Sequence, residues 1–275
     1  MKLKILNQKG EEKGSLNVPN QFSEPVRRDL IKRAVIALQM NNRQAYGAKP
    51  DAGKNYSAFL SKRRRKYRGT YGIGQSRTPR KILSRNGTRI YYVGALAPQT
   101  VGGRRAHPPK AEKIWTRKIN VNENRKAIRS ALSATLNKEL VIERGHRVPT
   151  NYPFVLSTEF NNITKTSDLL KTLETLGFSE ELERTKEKKV RAGKGKTRGR
   201  KYKRKTGILI VIDKPTELAL AATNIPGIDV ALVTSLNAYL LAPGTQPGRL
   251  TLFTEEAFKK FEEEKLFENK VNKWS

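Results

Sequence analysis

Few side chains in this 275-residue sequence have the types and spacing for bond-making chemistry. There are no cysteines, which removes thiolate nucleophiles, thiolate metal sites and disulfides. Two histidines, His107 and His146, cannot by themselves build a histidine-rich metal site. His107 lies in Arg104-Arg105-Ala106-His107-Pro108-Pro109. As a general base it would need a carboxylate to orient it, and the nearest in sequence is Glu112. Stacking or phosphate contact is the preferred role. His146 follows Gly145 and reads as a surface loop residue. Glu262-Glu263-Glu264 offers neighbouring carboxylates, but consecutive helical residues point to different faces, so the run reads as a solvated face. Gly195-Lys196-Thr197 matches the last positions of a phosphate-binding loop. That motif needs a glycine at position 190, where Val190 stands, and a preceding strand, where residues 186–189 form a charge run. Gly72-Ile73-Gly74 has no strand before it and reads as flexible backbone that lets the chain pass close to a partner.

What the sequence does offer is cation. It carries 56 Lys+Arg against 25 Asp+Glu, a formal net charge of +31. Self-repulsion of that size strains an isolated compact fold, and a polyanionic partner relieves it. Nucleic acid fits better than membrane: no stretch approaches the roughly 18–20 apolar residues of a spanning helix. The start, Met1-Lys2-Leu3-Lys4-Ile5, has no apolar core of a secretory signal, so the expected location is the cytoplasm. No cofactor or small-molecule substrate is expected.

The charge is concentrated. Residues 52–111 hold 15 Lys+Arg and no acid, and residues 188–212 hold 11 and no acid. Outside these windows 30 basic residues meet all 25 acidic ones. The chain therefore reads as a nearly balanced globular body, residues 1–51 and 112–275, with two cationic segments: residues 52–111 inserted in it and a second basic loop at 188–206. The first segment contains eight glycines and four prolines, and its apolar residues show no helical period. It buries too little to offset its ordering entropy and is expected to be disordered until a partner orders it. Folded back on itself it would reach up to ~100 Å, against a radius of gyration near ~16 Å for the body. Threading into folded RNA would use that length.

Lys62-Arg63-Arg64-Arg65-Lys66 and Arg200-Lys201-Tyr202-Lys203-Arg204-Lys205 each also fit a solvated face or a nuclear localisation signal. Two features favour RNA. Arginine dominates the first segment, and its planar fork binds phosphate bidentately and stacks on bases. Aromatic residues are interleaved with it: Tyr56, Phe59, Tyr67, Tyr71, Tyr91, Tyr92 and Trp115. Cations mixed with stacking rings hold single-stranded or irregular RNA. The candidate contacts are Arg63, Arg64, Arg65, Lys66, Tyr67, Arg68, Arg77, Arg80, Lys81, Arg85, Arg89, Arg104, Arg105, His107 and Lys110 in the first segment. In the second they are Arg191, Lys194, Lys196, Arg198, Arg200, Lys201, Lys203 and Arg204. A nucleic-acid-modifying enzyme with basic arms and an architectural nucleic-acid binder are the alternatives. The first would need a convergent acid, base or metal site in the body.

The elements that must carry these segments follow from hydrophobic spacing. Ser23-Glu24-Pro25 reads as a helix start, followed by Val26, Leu30, Ile31, Ala34, Val35 and Leu38 at helical intervals. A second helix is expected over residues 122–137, and the first basic segment lies between the two. Phe154-Val155-Leu156 reads as a short strand. Leu169, Leu170, Leu173 and Leu176 form a helical stripe ended by Gly177. Residues 208–212 and 230–233 read as buried strands. Residues 218–222 and 236–241 read as short helices, and residues 250–253 as a strand with Thr254 as the next N-cap. A last helix over 255–267 turns Phe258, Phe261 and Leu266 inward. Strand–helix alternation predicts an α/β fold, a mostly parallel sheet flanked by helices, with the long basic loop as an extension.

Two motifs carry a family resemblance. Gly69-Thr70-Tyr71-Gly72-Ile73-Gly74-Gln75-Ser76-Arg77-Thr78-Pro79 resembles the internal loop of the universal large-subunit ribosomal protein "L-four" family. Ala97-Pro98-Gln99-Thr100-Val101-Gly102-Gly103-Arg104-Arg105-Ala106-His107-Pro108-Pro109-Lys110 is similar to its archaeal and eukaryotic branch, and without the C-terminal extension of eukaryotic members an archaeal source is expected. The resemblance covers almost the whole chain. It implies a structural, non-enzymatic constituent of the large ribosomal subunit that binds ribosomal RNA. It implies an α/β body on the subunit surface and a loop running inward to the nascent-peptide exit tunnel, opposite ribosomal protein "L-twenty-two" and beside the passing nascent polypeptide. Carried onto this sequence, the stem includes Arg63, Arg64, Arg65, Lys66, Tyr67 and Arg68. The tip falls within residues 72–105, with Gly72, Gly74, Arg77, Arg80, Arg85 and Arg89 as tunnel-lining candidates. Compared with bacterial members of the family it resembles, this chain has extra residues around 81–99, and its second cationic segment, residues 191–205, departs from the bacterial pattern and reads as a further RNA contact.

Overall fold

The structure, a computed structural model, describes residues 1–66 and 70–269. Its contacts divide the chain into two compact units: Met1–Asn42 together with the chain from Arg117 onward, and Arg43–Thr116. In chain order the strands are β1 (Lys2–Leu6), β2 (Glu12–Asn17), β3 (Arg80–Asn86), β4 (Arg89–Gly94), β5 (Phe154–Leu156), β6 (Lys188–Val190), β7 (Tyr202–Arg204), β8 (Leu209–Ile212), β9 (Asp229–Leu232) and β10 (Thr251–Thr254). The α-helices are α1 (Arg28–Asn41), α2 (Val121–Leu136), α3 (Lys138–Glu143), α4 (Thr166–Thr175), α5 (Ser179–Lys186), α6 (Glu217–Thr223), α7 (Ala238–Leu241) and α8 (Glu255–Glu263). No helix among the described residues is long and apolar enough to cross a membrane.

The first unit is a three-layer α/β body. Its six-stranded sheet has the order β2-β1-β5-β10-β8-β9. Every pairing from β1 to β9 is parallel, and β2 joins β1 antiparallel at the edge. Alternate side chains of one strand point to opposite faces, so β8 feeds two cores. Leu209 and Val211 join Ile31, Leu132, Phe258 and Phe261 under α1, α2 and α8. Ile210 and Ile212 join Leu169, Leu173, Phe178 and Leu218 under α4 and α6. The mostly parallel sheet flanked by helices matches the α/β expectation. Both faces of β8 being covered explains its continuous apolar run.

Local boundaries shift where tertiary bonds compete. The first helix begins at Arg28, not near Ser23. The Ser130 hydroxyl donates to the Pro25 carbonyl (2.9 Å) and accepts from the Arg27 N–H (2.6 Å), which ties the preceding segment to α2 in extended form. The last helix stops at Glu263, short of Phe267, because Lys265 and Phe267 adopt left-handed backbone. The strand at 229–232 is an edge strand with only Ala231 buried, not a covered one. Gly177 does end its helix as expected, at φ +87°.

Arg249 is the largest fully buried side chain of the body. It donates to the carbonyls of Gly207 (3.0 Å) and Leu240 (2.9 Å) and pairs with Asp229. Burial depresses its guanidinium pKa, and Asp229 opposes that. Buried charge is tolerated only when its donors are satisfied. Here they tie the start of β8, the end of α7 and β9 together.

Candidate nucleic-acid interface

The unit Arg43–Thr116 contains the first basic segment. Its two limbs run side by side. The Ala48 N–H donates to the Pro109 carbonyl (3.0 Å), and Gly53, at φ +76°, lies so close to the Arg104 backbone that a Cβ would sit 2.6 Å from its Cα. Nearby, Tyr46 stacks on Trp115 with ring centroids 5.9 Å apart, and the Arg43 guanidinium lies 3.8 Å from the Trp115 ring.

Within this unit β3 and β4 form an antiparallel hairpin, with a bulge between Ile82 and Ser84. The expectation of a segment without internal structure missed it. The signal was legible: Gly87-Thr88 is a two-residue turn with glycine first, set between the paired Asn86 and Arg89 and followed by a β-branched and aromatic run. Gly87 has the positive φ, +57°, that such a turn demands.

The candidate side chains of this unit are mostly solvent-exposed: Arg63, Arg64, Arg65, Lys66, Arg77, Arg85, Arg89, Arg105, His107 and Lys110, with Arg80, Lys81 and Arg104 partly covered. Tyr67 and Arg68 lie outside the described residues. Aromatic rings hold several of the cations. Arg77 lies 5.0 Å and Arg64 5.6 Å from the Tyr71 ring, Arg80 5.6 Å from Tyr92, Arg89 4.9 Å from Tyr91, and Lys81 3.9 Å from Tyr56. Such pairs contribute only about 0.5–1 kcal/mol when exposed. Arg77 also donates to the Tyr71 hydroxyl (3.0 Å) and Arg80 to the Thr78 carbonyl (3.3 Å) and Ser76 hydroxyl (3.0 Å), whereas Arg64 and Arg89 make no hydrogen bond among the described residues. Gly72 and Gly74 both have positive φ and open space around their α-carbons.

The second segment is also a hairpin. β6 pairs antiparallel with β7, so a short strand stands where the sequence reads as a charge run. Arg191 closes it, its backbone N–H donating to the Lys201 carbonyl (2.8 Å) and its Nε to the Arg200 carbonyl (3.2 Å). Lys188 and Lys201 flank the Tyr202 ring at 4.6 and 5.5 Å. Lys194, Lys196, Arg198, Arg200, Lys201, Lys203 and Arg204 are exposed, and Arg191 is partly covered. The phosphate-loop reading of Gly195-Lys196-Thr197 fails on geometry: the N–H groups of Arg198 and Arg200 both donate to the Gly195 carbonyl and offer no cradle.

The body's own arginines behave differently. Besides Arg249, Arg144 donates to the Pro243 carbonyl (2.7 Å) and to that of Gln246, and burial with the nearby Arg249 and Arg184 charges pushes its pKa down to about 10. Arg184 forks onto Glu181 through Nε (2.7 Å) and Nη2 (2.6 Å). Their donors are directed at protein, whereas those of the two basic segments largely face water.

His146 is buried, not a surface loop residue. Its Nδ1 lies 2.7 Å from Glu181, whose other oxygen accepts from the Arg147 N–H (3.0 Å). Sequence could not show this, because the partners are 35 positions apart. The ionised Glu181 fixes the neutral imidazole as the Nδ1–H tautomer. Burial pulls the His146 pKa below 6.5, outweighing Glu181. Burial works to raise Glu181, but hydrogen bonds from Arg184, His146 and the Arg147 backbone hold it below 4.5. The carboxylate is saturated by these donors, so the trio is a structural clamp between the loop after α3 and α5. No group of three or more His, Asp or Glu side chains that could hold a metal occurs among the described residues.

Both shifts act in one direction. As pH falls below 6.5 the unfolded chain takes up a proton at position 146 before the folded chain does, and below 4.5 the same holds at Glu181. Stability of the free protein is expected to be flat in these two groups above pH 6.5 and to fall progressively on acidification. Urea midpoints across that range check it, and His146→Gln should remove the upper part of the decline. A midpoint that rose on acidification would contradict the assignment.

Comparison with known proteins gives a consistent picture. The model of the ribosomal protein L4/L1 family matches residues 16–264. The large ribosomal subunit protein uL4 of Nanoarchaeum equitans is 47% identical over 268 residues, 97% of this chain and 100% of that one. Those of Archaeoglobus fulgidus and Methanococcoides burtonii are 44% and 45% identical, each covering 94% of this chain and 96% of theirs.

Proposed function

We propose, starting from the fact that this chain belongs to the ribosomal protein L4/L1 family, a division of labour between its body and its two basic segments. The chain is a structural component of the large ribosomal subunit in the cytoplasm and not an enzyme. Its α/β body is the folded anchor. The segments at 52–111 and 188–206 bind ribosomal RNA through the arginines, lysines and rings named above. One observation carries this reading: the body's buried Arg249 is saturated by protein acceptors, while exposed arginines of the first segment such as Arg64 and Arg89 lie beside aromatic faces with no protein acceptor among the described residues, and Arg198, Arg200 and Arg204 of the second are exposed to solvent. Binding is then mainly to phosphate, strong and salt-sensitive, with specificity from RNA shape.

The loop's reach, as its length allows, takes residues 72–105 inward to the wall of the nascent-peptide exit tunnel. There Gly72, Gly74, Arg77, Arg80, Arg85 and Arg89 are the candidates to face the nascent polypeptide, across from ribosomal protein "L-twenty-two".

Sedimentation of cell lysate, with mass spectrometry locating the chain, tests the assignment. Stoichiometric co-migration with the large subunit through a high-salt wash is expected. Free protein at the top of the gradient would refute it. Nascent chains carrying a photo-reactive residue, stalled on the ribosome, should crosslink within residues 72–105. Crosslinks confined to other proteins would remove the tunnel role and leave RNA binding intact. A strong preference for ribosomal RNA over duplex DNA in competition separates this reading from an architectural binder.

A further inference from the structure

A cavity of about 770 Å³ opens in the body next to the second basic segment, within the usual size range of small-molecule sites. It is lined by Ile142 and His146, by the cations Arg147, Arg184 and Lys205, and by Glu180 and Glu183. Ile142 is apolar yet 51% exposed. Arg184 is committed to Glu181 and to the Thr206 carbonyl (2.7 Å). Lys205 has only a half-exposed pair with Glu187, which is worth little in water. The Arg147 guanidinium and the carboxylates of Glu180 and Glu183 make no hydrogen bond or ion pair among the described residues.

The lining therefore presents uncommitted charges of both signs around an apolar patch. A site for phosphate alone gains nothing from two carboxylates, and a site for a cation gains nothing from Arg147 and Lys205. A nucleotide carries all three complements: an anionic phosphate, an apolar ring face, and a base edge with N–H donors. Lys205 also follows directly on β7, so RNA lying along that hairpin reaches the cavity without leaving the chain.

We propose that this cavity receives one unstacked nucleotide of the RNA bound by the second basic segment. The phosphate contacts Arg147 and Lys205, the base lies on Ile142, and its N–H edge is read by Glu180 or Glu183. Guanine fits best, because its adjacent N1–H and N2–H groups match the two oxygens of one carboxylate. The proposal rests on RNA binding by the second segment and adds a base-reading site to it.

The full-length protein supplies its own probes, since His107 and His146 are its only histidines. Imidazole resonances followed by NMR during titration with GMP, AMP, CMP, UMP and inorganic phosphate report the cavity through His146 and the first segment through His107. GMP is expected to shift His146 saturably and at lower concentration than the other ligands. Glu180→Gln with Glu183→Gln, both exposed positions, should weaken GMP roughly tenfold and leave phosphate unchanged. Three results would each overturn the proposal: no His146 shift with any nucleotide, equal response to GMP and inorganic phosphate, or a His146 shift that tracks His107 throughout. If the protein still co-sediments with the large subunit in those cases, the cavity proposal alone has failed. Loss of co-sedimentation is the distinct failure of the ribosomal reading.

Discussion

Glu181→Ala is expected to lower the free energy of unfolding by about 3–5 kcal/mol, because it removes one partner from a buried charge cluster. Glu181 has no solvent exposure and accepts from His146 Nδ1, the Arg147 N–H and both Nε and Nη2 of Arg184. Alanine leaves the buried imidazole and the backbone N–H without their acceptor and the guanidinium without its counter-charge. Arg184 is partly exposed, with 17% of its side chain accessible, so water recovers some of its loss and the lower end of the range applies to that share. Glu181→Gln keeps one acceptor oxygen and should cost less. Urea unfolding of the free protein, followed by circular dichroism at constant m, measures both. A loss under about 1 kcal/mol for alanine would mean that the cluster is hydrated and the clamp is not structural.

The second large effect is on RNA. Replacing Arg77, Arg80, Arg85 and Arg89 together by glutamine is expected to weaken binding to large-subunit ribosomal RNA on the order of a hundredfold at moderate salt. The slope of log affinity against log salt should fall by roughly three, near 0.7–0.9 for each phosphate contact removed. The hairpin itself should survive, since its ladder is backbone and its Gly87-Thr88 turn is untouched. Replacing the same four by lysine should preserve most of the salt slope yet still lose affinity. An ammonium retains the charge but does not fork onto phosphate, and it lacks the planar face that a guanidinium offers to the rings of Tyr71, Tyr91 and Tyr92 beside it. An unchanged salt slope in the glutamine variant would show that these arginines do not contact RNA phosphate.

These two predictions draw on opposite kinds of arginine, and sequence alone does not sort them. Arg249 sits in Pro247-Gly248-Arg249-Leu250, with nothing local to mark it as buried, yet it is among the least exposed residues of the body. Its acceptor at Gly207 lies 42 positions away in the chain, and the one at Leu240 nine. The arginines of the basic segments are legible as a class because acid is absent around them and glycine, proline and aromatic residues are interleaved. That is a property of composition, and composition survives without coordinates.

The sequence by itself determined the two cationic segments, the α/β class and most elements of the body. Charge runs, covered strands and amphipathic stripes are local patterns, set by residue type at a period of two or 3.6. It also contained, unread, the Gly87-Thr88 turn signal for the hairpin at 80–94. Only the tertiary structure decided that His146 is buried against Glu181, that Arg144, Arg184 and Arg249 serve the body, that α1 starts after Pro25, and that Ile142, Arg147, Glu180, Glu183 and Lys205 line one cavity. The physical reason is common to the distant partners among these, such as His146 with Glu181 and Arg184 with Thr206. A hydrogen bond or ion pair between residues far apart in the chain forms only after packing has placed them within about 3 Å of each other, and no local spacing encodes which distant partner that will be.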